Sequence, residues 1–241
     1  MNKTVKITNN IEEIIEYQKN KIPCVLLLDD SNKDKDTSGI KYCALLEKED
    51  MQDEEYIRNL LGDEYLDMVE ARCYGKPLVI ANTNRLVIRE LTMGDIDGIC
   101  NIYEGKDTDF LGCFYESRED AAAIINRYIN EVYDFYGFGL WAVVLKDTDE
   151  LVGVVGFTPR DSGKDKIDIE LGYAINTSYR KRGLGYEAAK AVIEYADNNI
   201  EHNNILINVN SDNIPGKILG NKLKVLTTDV IFCSIDEAKV L

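Results

Sequence analysis

The ten residues Tyr179-Arg180-Lys181-Arg182-Gly183-Leu184-Gly185-Tyr186-Glu187-Ala188 constrain this chain more tightly than any other stretch. They follow an apolar run from Ile167 to Ile175 and open a helical pattern that runs to about Asn198. Three consecutive cations, two glycines one residue apart and then a helix start suit an anion held by main-chain N–H groups. Glycine tolerates positive φ and lets a ligand approach the backbone. The first turn of a helix offers unpaired N–H donors at the positive end of its dipole. A phosphate or pyrophosphate is the natural guest. The same spacing also serves turns that bind nothing, so the flanking sequence has to decide.

Charge makes the cation cluster a local exception. The 241 residues carry 28 Lys and Arg against 43 Asp and Glu, a net charge of −15 with histidine neutral. Such a field repels nucleic acid and anionic membrane and argues against both as partners. Six cysteines (Cys24, Cys43, Cys73, Cys100, Cys113, Cys233), none in a C-x-x-C pair, read as small apolar residues of a reducing compartment. That spacing and a lone histidine, His202, provide no zinc ligand set, so no metal is expected. His202 is expected at the surface. Met1-Asn2-Lys3-Thr4 lead straight into alternating residues without a signal-peptide core, and no segment approaches the roughly 18 apolar residues of a membrane span. A soluble, cytoplasmic protein is the expectation.

Taken in order, residues 5–30 read strand, helix, strand, with Asn10 and Glu13 as a capping pair and Cys24 to Leu28 fully apolar. Asp29 and Asp30 begin a charged loop, read as solvated rather than as a cation site. Ile40 to Leu46 is a further strand. Asp53 to about Cys73 is a long helix interrupted or bent near Gly62, with Tyr56, Leu60, Leu61, Tyr65 and Val69 inward. The pattern places a small α/β domain over residues 1–81 and a boundary near Ala81-Asn82. Beyond it come the strand 85–91, a helix from Thr92 to about Tyr103, a helix from Ser117 to Gly137, and an antiparallel hairpin of 140–145 with 151–157. The strand 167–175, the glycine turn, the helix 186–198, the strand 205–209, a short helix near 215–223 and a closing strand 230–234 complete the order.

This order resembles the GNAT acetyltransferases, and local motifs agree with it. Thr83-Asn84-Arg85-Leu86-Val87-Ile88-Arg89 is similar to the opening strand of the subgroup that contains the ribosomal-protein N-terminal acetyltransferases. Leu151-Val152-Gly153 with Gly156-Phe157 is similar to its third strand, Glu170-Leu171-Gly172-Tyr173 to its fourth, and Arg180 to Gly185 to its pyrophosphate loop. The resemblance covers about residues 83–235. It implies an α+β domain over 82–241 with a central mixed, mostly antiparallel sheet flanked by helices, and acetyl-CoA as cosubstrate. Arg182, Gly183, Leu184, Gly185 and Tyr186 would line the pyrophosphate, with Arg180 and Lys181 adding charge. Main-chain groups of Ala174, Ile175 and Asn176 would align the pantetheine arm, the Ile175 amide polarising the thioester carbonyl. Asn213 would contact the arm through its amide.

Acetyl transfer to an amine needs a route for the amine proton. Strand alternation puts Asp168, Glu170 and Gly172 on one face, which makes Glu170 the expected base and Asp168 a weaker candidate. The sequence departs from the family pattern downstream. Gly216 replaces a serine, Lys224 a turn glycine, and Gly220 falls where many members carry the tyrosine that protonates the departing thiolate. No general acid is identified. Phe110, Cys113, Phe114, Tyr115, Tyr128, Tyr133, Phe135 and Tyr136 crowd the second helix and the loop before it, as packing or as an aromatic acceptor pocket; Trp141 reads as core. The reading is an acyltransferase that moves acetyl from acetyl-CoA directly to a primary amine of a protein N-terminus, a polyamine or a small metabolite. The alternative is a non-catalytic acyl-CoA-binding or regulatory module whose N-terminal domain holds an effector or partner. An isologous homodimer is compatible with either.

Overall fold

The structure, a computed structural model, describes residues 5–47, 50, 53–103, 117–163, 166–225 and 230–235. The chain divides into two compact units, Met1–Leu78 and Val79–Leu241.

In the first unit, β1 (Lys6–Thr8), β2 (Cys24–Leu28) and β3 (Cys43–Leu45) form a parallel sheet in the order β1-β2-β3, with α1 (Ile11–Lys19) between the first two strands. Asn10 caps α1 by accepting from the Glu12 N–H, and Asp53 caps α2 (Glu54–Leu61) by accepting from the Tyr56 N–H. Gly62, at φ +81°, separates α2 from α3 (Asp63–Cys73), so of the interruption or bend expected near this glycine the structure shows the interruption. Ile57, Leu66 and Val69 are buried, whereas Tyr56 and Leu60 are exposed. The inward row of α2 therefore lies one residue further along, on the equally spaced aliphatic pair Ile57 and Leu61. Asp29 is a turn residue: Oδ1 accepts from the Ser31 N–H and hydroxyl, and Oδ2 from Asn9 Nδ2. Beside it the buried Asn32 donates to the carbonyls of Asn9 and Leu27 and accepts from the Asp29 N–H.

The second unit is a seven-stranded sheet in the order β10-β9-β8-β7-β6-β5-β4. Its strands are β4 (Val79–Asn82), β5 (Leu86–Arg89), β6 (Leu140–Leu145), β7 (Leu151–Arg160), β8 (Asp168–Ile175), β9 (Ile205–Asn210) and β10 (Val230–Ile235). Pairing is antiparallel from β4 to β8 and parallel from β8 to β10. The strand β4 is absent from the sequence reading, and the boundary between the units falls before it. On one face α4 (Ile96–Tyr103) and α5 (Arg118–Tyr136) bury Ile96, Ile99, Ile102, Ala121 and Ile125 against Leu140, Ala142, Val144 and Val154. On the other, α6 (Leu184–Asn199) packs Tyr195 edge-on to Trp141, which also meets Phe157 edge-on. The small stripe Ala188, Ala189, Val192 and Ala196 brings this helix close to the sheet. Helix α7 (Ile214–Leu223) covers β9 and β10 on the α6 side.

Aromatic residues of α5 lock the start of β6. The Tyr133 hydroxyl, fully buried, donates to the Leu140 carbonyl and accepts from the Leu91 N–H, while the Leu140 N–H donates to the Tyr128 hydroxyl. Burial pushes the Tyr128 phenol up to about 12. Both rings therefore serve packing and backbone satisfaction rather than an acceptor pocket. Tyr133→Phe strands a buried acceptor and a buried donor and should cost about 1–3 kcal/mol. Trp141 is the one tryptophan of the chain and lies in this unit. Its fluorescence in a urea titration of the full chain will read the loss as a lower midpoint, with Tyr133→Phe against wild type.

Candidate active site

Strands β8 and β9 run side by side but pair at only two positions, Ile169 with Ile205 and Glu170 with Leu206. Beyond them β8 continues to Ile175 on β7, and β9 continues to Asn210 on β10. The sheet therefore opens between its two halves. The pairing pattern says which groups face that opening. The Asn176 N–H donates to the Val152 carbonyl, so Gly153 and Ile175 form a non-hydrogen-bonded antiparallel pair. The N–H and C=O of Ile175 then point away from β7, as do those of Tyr173 and Leu171 two and four residues earlier. At the start of the same row, the Ile169 N–H donates to the Asn204 carbonyl on the β9 side.

Of the three main-chain positions expected to align a ligand, Ile175 alone presents its amide to the opening. Ala174 turns its N–H and C=O to β7 by the same alternation. The Asn176 N–H is spent on Val152, its carbonyl accepts from the Tyr179 N–H, and its side chain accepts from the Ser178 N–H to cap a 3-10 turn over Thr177–Tyr179.

The glycine loop stands at the mouth of the opening. Lys181 and Gly183 are both left-handed, with φ +60° and +80°, and Gly183 is the N-cap of α6 with no side chain to satisfy the first-turn amides. Those of Leu184, Gly185 and Tyr186 have no acceptor within the helix. Leu184 is buried and anchors the turn, and Gly185 brings the helix start against Ile175, whose Cγ1 would lie 3.5 Å from a methyl placed there. The cations are not equivalent. Arg180 Nε donates to the Ile175 carbonyl at 2.8 Å, Lys181 is exposed, and the Arg182 guanidinium sits 5.0 Å over the Tyr179 ring. The Tyr179 hydroxyl donates to Glu150 Oε2, which pushes that phenol up.

Below the loop lies a group of residues whose joint role the sequence did not announce. Glu187 Oε1 accepts from the Thr83 hydroxyl at 2.6 Å and from the Arg85 N–H at 3.0 Å, and Oε2 accepts from Arg85 Nε at 2.8 Å. Arg85 Nη1 donates to the Arg182 carbonyl at 2.9 Å. The turn between β4 and β5 is thereby fastened to the first turn of α6. Thr83 and Arg85 were legible only as part of a strand motif, because their partner lies about 100 residues away.

Glu170 stands at the vertex where β8 and β9 part, on the face shared with α4 and α5. Its Oε2 is 2.6 Å from Arg160 Nε, an ion pair from the end of β7. Asp168 is occupied: Oδ1 accepts from the Asn204 N–H and side-chain amide, fastening β8 to the start of β9. Asn213 spends Oδ1 capping α7 on the Gly216 N–H, which leaves its Nδ2 donor. A methyl on Gly220 would stand 2.5 Å from two carbons of the Phe232 ring, and one on Gly216 would stand 2.7 Å from Val209. The position expected to carry a tyrosine in relatives is thus closed by β10. His202 is not a surface residue: its side chain is 7% exposed, with Nδ1 2.8 Å from the Ile200 carbonyl. It packs where α6 ends and is remote in sequence from the loop. Phe135 and Tyr136 are exposed, and Phe110, Cys113, Phe114 and Tyr115 lie outside the described residues. Among the described residues no cluster of three or more His, Cys, Asp or Glu is placed for a metal, and no helix is long and apolar enough to cross a membrane.

Burial alone would raise the Glu187 pKa, but hydrogen bonds from Thr83 and Arg85 outweigh it and hold the carboxyl below the usual glutamate range. A carboxylate depressed in the folded state stabilises it above its unfolded pKa, about 4.3, and ceases to do so as pH falls through the folded value. The stability gap between wild type and Glu187→Gln should therefore be constant above about pH 5.5 and shrink below about pH 4. Trp141 fluorescence in urea at a series of pH values will measure it.

Residues 85–221 match the family model for the acetyltransferase (GNAT) domain. The chain is 25% identical over 142 residues to p20 of Bacillus licheniformis, an uncharacterized N-acetyltransferase, across 58% of this chain and 79% of p20. It is 30% identical over 139 residues to YnaD of Bacillus subtilis (strain 168), also an uncharacterized N-acetyltransferase, across 55% of this chain and 74% of YnaD. Among solved structures, the Salmonella typhimurium acetyl transferase that modifies the N-terminal serine of 50S ribosomal subunit protein L7/L12 superposes with a TM-score of 0.50 at 14% identity. That match covers 61% of this chain and 83% of the other. The mixed sheet, the helix order and the glycine loop are accounted for together: the chain belongs to the GNAT family and is a GNAT-type N-acetyltransferase.

Proposed function

We propose that the protein transfers acetyl from acetyl-CoA directly to a primary amine, with the pyrophosphate on the glycine loop and the pantetheine arm between β8 and β9. The observation that carries this reading is the parting of those strands. It turns a row of β8 amides toward an opening whose mouth is the uncapped start of α6. Backbone N–H groups of Gly183, Leu184, Gly185 and Tyr186 bind the diphosphate, and Arg180, Lys181 and Arg182 add positive charge to an otherwise acidic protein.

Strand geometry orders the deeper groups. Five residues of extended chain separate Glu170 from Ile175, about 16 Å, whereas Tyr173 is about 10 Å from Glu170. A base at Glu170, reaching the amine through one water, serves a carbonyl held at the Tyr173 N–H better than one held at Ile175. The Ile175 N–H, beside Gly185, then takes the pantetheine arm. Nitrogen attacks the carbonyl carbon, the C–S bond breaks, and the amine proton passes to the Glu170 carboxylate. With Gly220 packed on Phe232, the sulfur leaves as thiolate, the weaker base and therefore the better leaving group of the tetrahedral adduct. Asn213 contributes its Nδ2 donor to the arm.

The net charge favours a cationic acceptor. Because the Salmonella protein of like fold modifies an N-terminal serine, a protein N-terminus is the first acceptor class to try, before polyamines and small amines. The described cysteines, all free, suit a reducing, cytoplasmic setting.

Calorimetry with coenzyme A, followed by thiol release from acetyl-CoA over a panel of peptide, polyamine and small amines, tests the reading. We expect CoA binding and acceptor-dependent release, with Glu170→Gln lowering kcat about 10²–10⁴-fold. Absence of CoA binding would refute the site. Binding without release by any acceptor would leave a regulatory CoA-binding module, with the first unit as its effector domain.

A further inference from the structure

The glycine loop is oriented by a residue that none of its own motif supplies. Arg85 lies just after the β4–β5 turn, about 100 residues before the loop. Its guanidinium fork divides between two partners: Nε and Nη2 engage Glu187 Oε2 at 2.8 and 2.6 Å, and Nη1 donates to the Arg182 carbonyl at 2.9 Å. Glu187 is the less exposed member, at 19% against 48%, and its other oxygen holds Thr83 and the Arg85 main chain. Lys146 Nζ donates to the Thr83 carbonyl and the Lys146 N–H to that of Arg85, so the turn carrying the arginine is itself fixed from β6.

The consequence follows from peptide geometry. In a trans peptide the C=O and N–H point in opposite directions. Fixing the Arg182 carbonyl toward Arg85 therefore fixes the Gly183 N–H on the opposite side, alongside the first-turn amides of α6. Gly183 is at φ +80°, and a methyl placed on it would lie 3.6 Å from Arg85 Nη2, so the guanidinium also backs the turn at this residue. Without the arginine, the Arg182–Gly183 peptide has no described side-chain restraint and can rotate its N–H out of the nest.

We propose that Arg85, held by Glu187, is a positioning residue for the diphosphate site, acting through the Arg182 carbonyl. The inference rests on the assignment of the loop as the pyrophosphate site. Arg85 touches neither the ligand nor the reacting atoms; it sets which way one amide faces before the ligand arrives. Lysine cannot replace it, because a single ammonium cannot reach Glu187 and the Arg182 carbonyl in the same fork geometry.

The test compares wild type, Arg85→Lys and Arg85→Ala in the full chain by two measurements. Calorimetry with coenzyme A should show about a tenfold loss of affinity in Arg85→Lys and at least that in Arg85→Ala. Hydrogen exchange without ligand should show faster exchange of the amides of residues 182–186 in both variants, with β6 and β7 unchanged. If Arg85→Ala does not fold, Arg85→Lys, which keeps an ion pair with Glu187, decides. Wild-type affinity together with wild-type exchange at 182–186 overturns the proposal. So does faster exchange across the whole second unit, which would mean a general structural role. If wild type does not bind coenzyme A, the ligand assignment fails, while the exchange measurement still reports whether Arg85 orients the loop.

Discussion

The second unit depends on a hydrogen-bonded ladder that stops. β8 and β9 meet at two register positions and then separate, each staying with its outer neighbour. A parted pair leaves main-chain donors and acceptors that must find water or another partner, because an unpaired buried amide costs about as much as a lost hydrogen bond. What keeps the parting from closing is local to each side. Gly185 wedges the start of α6 against Ile175, Arg180 occupies the Ile175 carbonyl, and α7 draws β9 toward β10 through glycine contacts with Val209 and Phe232. At the other end, Asp168 fastens β8 to Asn204, so the strands diverge from a fixed vertex.

This arrangement divides labour between backbone and side chains. The groups facing the opening and the loop are almost all amides, whose direction is set by strand alternation and helix start. The charged side chains nearby are mostly engaged with protein: Arg160 with Glu170, Arg180 with Ile175, Arg182 with Tyr179, Arg85 with Glu187. A site built this way tolerates variation in its surface residues and is sensitive to the few positions that fix peptide orientation. The ion pair of Glu170 acts in the same sense, since Arg160 holds one carboxylate oxygen and so fixes the orientation of the other.

Much of the fold was legible in the sequence, for identifiable reasons. The apolar runs of β2, β6, β7 and β8 and the capped starts of α1 and α5 carry strong periodic signals, and the hairpin of β6 with β7 needed only a short polar connection. The glycine loop was legible because its composition is tied to one backbone geometry. Short edge elements were not. Strand β4 has four residues and follows a proline-containing turn, and its pairing with β5 is stated nowhere in its own residues. Long-range partners were equally silent. Nothing near Glu187 announces Thr83, nothing near Glu170 announces Arg160, and His202 carries no signal that its ring will turn inward at a helix end. Alternation correctly placed Glu170 on one face of β8 but could not give its distance from Ile175 a meaning until the opening was seen.

The contact between α7 and β10 couples two distant positions. Because Gly220 rests directly on the Phe232 ring, a side chain at 220 collides with that ring unless the ring shifts or gives way to a smaller residue. A smaller residue at 232 alone would leave a cavity under α7, so 220 and 232 are expected to change together or not at all.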